Sequence, residues 1–151
     1  DSAGAAAELV QSQDPYSGVL ASELAAEIYG LDVLARDIED HGHNTTRFLV
    51  MAPALDLKRR GQTKMMTSFV FRVRNIPAAL YKAMGGFATN GVNMTKLESY
   101  MVDGVFTATQ FYADIEGHPD DNNVRMALEE LEYFTSQMTL LGVYPADPLR
   151  R

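Results

Sequence analysis

Cysteine is absent from the 151 residues. That excludes a disulfide framework and thiolate chemistry. Positive charge is scarce: 13 Lys and Arg stand against 20 Asp and Glu, a formal net charge of −7. Neither nucleic acid nor an anionic membrane is therefore the expected main partner. No apolar run approaches the roughly 20 residues that span a bilayer, and no secretory leader pattern opens the chain. A starting Met is also missing; the chain begins at Asp1 among small helix-forming residues and reads as a fragment or a processed product. Cytoplasmic residence is the expectation compatible with these absences. What is present points to packing: 46% of the residues are hydrophobic, enough for a core. The length fits one ordinary domain or two small ones.

The most informative stretch is residues 75–101, NIPAALYKAMGGFATNGVNMTKLESYM. Asn75 is placed to cap a helix with Pro77 in its first turn. Leu80, Ala83, Met84 and Phe87 recur at helical spacing, and Asn90-Gly91 supplies a left-handed stop. Val92 opens a strand whose apolar alternation slips between Met94 and Leu97, as a bulge would cause. A strand with one strongly apolar face precedes it: Phe69, Phe71 and Val73 alternate with Ser68, Val70, Arg72 and Arg74 over residues 67–74. Asp103-Gly104 is a hairpin signal, residues 105–115 form the returning strand, and Gly117-His118-Pro119 begins a further helix. Val124, Leu128, Leu131 and Met138 share that helix's buried side, with Phe134 at its edge. Residues 139–144 give a last strand before Pro145. The order is βαββαβ, a ferredoxin-like α+β arrangement with helices on one face of an antiparallel sheet. The eight methionines are spread through it, so core filling is favoured over a Met-rich surface.

The first third alternates helix and strand signals. Ser2 is placed to cap a helix over residues 3–10, and the open amides there suit a carboxylate. Asp14-Pro15 marks a turn. Ser22 caps a helix over residues 23–29, which Gly30 ends. Residues 18–21, 31–34 and 45–51 read as strands, giving an α/β pattern with too few strands for a complete sheet. Between them, residues 37–47 (DIEDHGHNTTR) gather three carboxylates and two histidines. His41-Gly42-His43 has none of the familiar zinc spacings, so a solvated loop is favoured and no metal or other cofactor is expected. Asn44-Thr45-Thr46-Arg47 brings hydroxyls and a guanidinium to the start of a strand. Arg47 suits a bidentate carboxylate contact, and a threonine hydroxyl can donate a proton to a leaving group when its site assists. On residues alone, a structural strand entrance remains the simpler account. Residues 53–66 read as a linker. Its short basic run Lys58-Arg59-Arg60-Gly61 lacks interleaved aromatics and is better read as solvated chain than as a nucleic-acid site.

Taken in this order, the chain resembles the prephenate dehydratase family. Asn44-Thr45-Thr46-Arg47-Phe48 is similar to its Thr-Arg-Phe region. Glu23-Leu24-Ala25-Ala26, leading through Asp37-Ile38-Glu39-Asp40, is similar to the stretch before it. Residues 67–144 resemble an ACT domain, a small amino-acid-sensing module. The resemblance implies that residues 1–52 are the later part of a two-lobed α/β catalytic unit, incomplete here. Residues 53–66 would be the linker, 67–145 the ACT regulatory domain and 146–151 a tail. It implies a carbon–oxygen lyase that converts prephenate to phenylpyruvate in phenylalanine biosynthesis. Thr46 would be the proton donor, Arg47 would hold a substrate carboxylate and Phe48 would wall the site or support it from the core. Ser2, Ala3, Asn44 and Thr45 would bind substrate. Phenylalanine would be the effector, held near Ala78, Ala79, Leu80, Asn90, Asn93, Glu98 and Ser99 between the ACT domains of a homodimer or larger assembly. Two family patterns differ here. Gly-Ala-Leu is replaced by Ala78-Ala79-Leu80, and Glu-Ser-Arg-Pro by Glu98-Ser99-Tyr100-Met101. A methyl group replaces the hydrogen of a glycine, and a cation and a rigid bend are lost. The alternative is an amino-acid-binding module with no activity of its own. A transport-type binding protein has the α/β lobes in its favour but lacks support from a leader or from the ACT-like half.

Overall fold

The computed structural model describes residues 1–12, 14–42, 45–58, 63–102, 104 and 108–148. The chain folds as two compact units, Asp1–Leu49 and Val50–Arg151.

In the first unit, α1 spans Ser2–Ser12 and α2 spans Glu23–Tyr29. Ser22 caps α2 as its position predicts: its hydroxyl accepts from Ala25 N, and Gly30 closes the helix at φ 64°. At α1 the capping side chain is Asp1, whose carboxylate accepts from Gly4 N at 2.7 Å, and Ser2 is already helical. An ionised Asp one residue earlier is the stronger cap, because it also meets the positive end of the helix dipole. The strands expected at 18–21, 31–34 and 45–51 do not form; no strand is assigned among the described residues of this unit. A strand is stabilised by its ladder, and these segments have none to join. Their apolar side chains stay open to solvent, with Leu34 92% and Phe48 87% exposed.

The second unit holds β1 (Met65–Val73), α3 (Ala79–Thr89), β2 (Met94–Met101), β3 (Ala108–Glu116), α4 (Asn122–Phe134) and β4 (Thr135–Pro145). The sheet order is β2-β3-β1-β4, with every neighbouring pair antiparallel. This is the predicted ferredoxin-like βαββαβ arrangement. Alternation along β1 sends Phe69, Phe71 and Val73 to one face. There they join Ala83 and Phe87 of α3, Phe111 and Ile115 of β3, and Val124, Leu128 and Leu131 of α4 in one buried cluster. Phe69 stacks on Phe87 at 6.0 Å between ring centres, and Phe71 on Phe111 at 5.3 Å. The register slip read between Met94 and Leu97 is present, between Met94 and Lys96 against β3.

The two helices cross where α3 has no side chain. A Cβ on Gly86 would lie 2.7 Å from Glu130 Cβ and 3.2 Å from Ala127 O. The unit opens and closes at one edge of the sheet: Met65 pairs with Pro145, and Ala146 N donates to Lys64 O at 2.7 Å.

Several boundaries differ from the sequence reading: β1 begins at Met65, inside the stretch read as linker, and α4 begins at Asn122, after a turn in which Asp121 N donates to His118 O. The helix expected from Asn75 and Pro77 begins at Ala79, with Ala78 as its N-cap in the left-handed region at φ 59°. Residues 74–78 make a local turn instead: Ile76 N donates to Arg74 O and Ala79 N to Ile76 O. β4 begins at Thr135, directly after α4, so Met138 belongs to the strand while still packing against the core. The hairpin signal Asp103-Gly104 is described only at Gly104, which has φ 70°. Residues 105–107 lie outside the described residues.

Candidate functional site

The residues singled out in the sequence fall at three places. In the first unit, Ser2 and Thr45 line one open concavity of about 850 Å³ with Leu20, Ala21, Ile38, Glu39, Asp40 and His41. Ser2 is brought there by the first turn of α1. Its partners come from the segment before α2 and from the acidic loop. Ala3, Thr46, Arg47 and Phe48 are exposed and are not among the lining residues; Asn44 lies outside the described residues. Leu20, Ala21, Ile38 and His41 were not singled out as substrate-binding. Leu20 and Ala21 sat in an expected strand, where alternation hides which face meets a ligand. Among the described residues, no group of three or more His, Asp or Glu side chains is arranged to hold a metal ion.

In the second unit, the expected effector residues occupy two ends of the sheet. Ala78, Ala79 and Leu80 start α3; Asn90 and Asn93 follow its end. Eleven residues of helix separate these positions by about 16 Å. β2 runs back antiparallel to that path, so Glu98 and Ser99 lie at the end of the sheet where α3 starts. The chain therefore places Ala78–Leu80, Glu98 and Ser99 toward one end of the sheet and Asn90 and Asn93 toward the other.

At the first end, Glu98 is already engaged. Lys96 Nζ lies 3.0 Å from its Oε1, and Tyr100 Oη donates to its Oε2 at 2.8 Å. Lys96 first and Tyr100 second hold the Glu98 carboxyl below its ordinary range, and the same hydrogen bond pushes the Tyr100 phenol up. Tyr100 thus supplies Glu98 with a neutral donor beside the Lys96 cation.

At the other end, Asn93 and Gly91 line a polar cavity of about 470 Å³ with Lys64, Glu116, His118 and Asp121. Asn90 has a structural task beside it: Nδ2 donates to Gly86 O at 2.8 Å and to Glu130 Oε1 at 2.9 Å, closing α3 and tying it to α4.

A fourth group carried no signal in the sequence reading. On the sheet face away from the helices, Ser68 Oγ donates to Asp114 Oδ1 at 2.5 Å and lies 2.9 Å from Tyr144 Oη. Tyr112 Oη donates to the same carboxylate oxygen at 2.7 Å. Asp114 and Ser68 are buried and face each other across the β1–β3 rung. Alternation gives these residues the parity of a solvent face, so only their pairing as polar partners on one rung could have marked them.

The sequence and fold have close counterparts. Residues 1–54 match the family model described as prephenate dehydratase. The chain is 51% identical to a bifunctional N-acyl-homoserine lactone acylase/prephenate dehydratase of Komagataeibacter europaeus, over all of this chain and 54% of the relative. It is 44% identical to a bifunctional chorismate mutase/prephenate dehydratase of Aquifex aeolicus, over 88% of this chain and 36% of that protein. The crystal structure of a prephenate dehydratase from Arthrobacter aurescens in complex with L-Phe aligns with TM-score 0.76 and 28% identity, covering 97% of this chain and 48% of that one. The chain thus spans about half, or less, of the length of these relatives.

Proposed function

We propose, because this chain belongs to the prephenate dehydratase family and matches the C-terminal part of its members, that the whole protein converts prephenate to phenylpyruvate and is regulated by phenylalanine. The observation that carries the reading is the Thr45-Thr46-Arg47-Phe48 sequence inside the matched residues 1–54, with Thr45 and Ser2 on one concavity. The chemistry asked of these residues is modest. The C–CO₂⁻ bond of the substrate breaks, its electron pair enters the ring, and the hydroxyl at the far ring carbon leaves. Aromatisation drives the step, so the protein must supply a proton to the departing oxygen and hold the substrate's remaining carboxylate. Thr46 is the donor in this reading, Arg47 the carboxylate clamp through its planar fork of N–H groups, and Phe48 an apolar wall. Ser2, Ala3, Asn44 and Thr45 contribute to substrate binding. Steady-state kinetics on the whole enzyme tests the assignment. Thr46→Ala lowers kcat far more than it raises KM, whereas Arg47→Ala raises KM as well. Near-unchanged turnover by Thr46→Ala removes Thr46 from the donor role.

In the same reading the βαββαβ unit is an ACT regulatory domain that pairs with a second copy, and the whole enzyme works in the cytoplasm. The L-Phe held by the Arthrobacter relative supports phenylalanine as the effector. A pair of copies brings the Ala78–Leu80 and Glu98–Ser99 end of one protomer to residues of the other, and ligand binding then couples to their relative orientation. Titration calorimetry with phenylalanine, tyrosine and tryptophan tests this; no binding at millimolar concentration defeats the regulatory reading and leaves the lyase reading standing. Light scattering that finds only monomer at micromolar concentration defeats the pairing.

A second reading rests on the 51% identity to the acylase/dehydratase relative, higher than the 44% to the Aquifex enzyme. The whole protein would then also hydrolyse the amide bond of N-acyl-homoserine lactones. Release of free fatty acid and homoserine lactone by the purified whole protein supports it; unchanged substrate after prolonged incubation excludes it.

A further inference from the structure

His118 is 1% exposed, and its polar atoms have defined partners. Its backbone N–H donates to Asp121 Oδ2 at 2.9 Å. Its Nδ1 accepts from Asp120 N at 3.1 Å, and its Nε2 lies 2.9 Å from Leu57 O. A backbone N–H can only donate, so Nδ1 carries no proton in this arrangement. A carbonyl can only accept, so the proton of the neutral ring is on Nε2 and is donated to Leu57. The two bonds fix one tautomer. They also join places far apart in sequence: the turn between β3 and α4, and the segment that leads into β1. That segment has no helix or strand of its own between residues 50 and 58. His118 also lines the cavity that holds Asn93.

We propose that His118 is a positioning residue, a latch that in its Nε2-protonated form fastens the connecting segment at Leu57 to the Asn93 end of the sheet. The donor is buried at the base of the latch, but the segment it holds is not part of the sheet; Leu57 itself is 39% exposed. Losing the bond therefore frees the segment and leaves the βαββαβ core intact. The latch fixes the connecting segment at one point, Leu57.

The test is hydrogen exchange on the intact chain with two substitutions. His118→Asn keeps an acceptor for Asp120 N but is too short to reach Leu57. His118→Gln places an amide donor near the position of Nε2. Deuterium uptake over residues 53–58 is expected to be about three- to tenfold faster in His118→Asn and to return toward the parent rate in His118→Gln, with β1 and β3 unchanged. Uptake in His118→Asn equal to the parent overturns the latch. So does loss of protection throughout the sheet, which would make His118 a general core residue. Ring ¹⁵N shifts of the unsubstituted chain give an independent test: they must report protonated Nε2, and a protonated Nδ1 refutes the proposal.

Discussion

Two adjacent glycines in α3, Gly85 and Gly86, should respond with opposite sign to the same substitution. Replacing glycine by alanine inside a helix removes backbone freedom from the unfolded chain and gains about 1 kcal/mol. Gly85 is exposed, with nothing within 4 Å of an added Cβ, so Gly85→Ala should realise that gain. At Gly86 the new methyl meets Glu130 Cβ at 2.7 Å, Glu130 Oε2 at 2.9 Å and Ala127 O at 3.2 Å. The carboxylate oxygen can swing away; the Cβ and the carbonyl move only if α4 moves. Forcing a methyl group into such a contact costs about 1–3 kcal/mol. Set against the same propensity gain, Gly86→Ala is destabilised by about 1 kcal/mol, and the two variants differ by about 2 kcal/mol. For a unit of this size that separation is on the order of 10 °C in Tm. Thermal and urea unfolding followed by circular dichroism measures it, with the urea slope expected to stay constant. If both substitutions raise Tm, the close approach of α3 and α4 at Gly86 is refuted.

Other outcomes follow from single positions. Ala78→Gly relieves about 1–2 kcal/mol of left-handed strain at φ 59° and loses about 0.4–1 kcal/mol through the freer unfolded chain, so a rise in Tm of a few degrees is expected and a fall contradicts it. Gly117→Ala combines φ 110° with a Cβ placed 2.5 Å from Val124 Cγ2; a loss of about 3 kcal/mol or more should appear as a lower urea midpoint. Lys96→Met should raise the Glu98 carboxyl toward its ordinary range by more than Tyr100→Phe does, since Lys96 is the larger cause of its depression; carboxyl ¹³C shifts against pH read both. The sign for stability follows: a carboxyl lowered in the folded state contributes above its unfolded value, and the contribution disappears as pH falls through the folded value.

Where the sequence was legible, local signals agreed with tertiary ones. Ser22 and Gly30 bound α2 because a cap and a left-handed stop act through neighbouring backbone alone. The slip after Met94 was legible because a bulge must move side chains to the wrong parity. Val124, Leu128 and Leu131 face the core because their i, i+4, i+7 spacing puts them on one stripe of α4. Asn75 failed as a cap for a reason outside its own chemistry: the turn at 74–78 uses Arg74 O and Ile76 O before the helix can start. The segments 18–21, 31–34 and 45–51 have strand composition, but composition cannot provide a neighbour to pair with. For the candidate site, the resemblance named Ser2 and Thr45, which line one concavity, but gave no binding role to His41 or Ile38, which line it from an acidic loop. Asn90, an amide at a helix end assigned to a ligand, has a structural task that the sequence did not signal: it donates to Gly86 O and Glu130 Oε1.

The adjacency of Lys64 and Ala146 has a mechanical consequence. β1 and β4 run antiparallel, with Met65 opposite Pro145. Tension applied at Lys64 and Ala146 therefore pulls across the ladder at its open end. The rungs are loaded one after another, beginning with Ala146–Lys64, rather than all at once in shear. Such a joint peels at low force and re-zips from its intact end when the load is released. The sheet can thus yield to a tug on these two positions by opening one edge, while the Phe69, Phe71 and Phe111 stack stays closed.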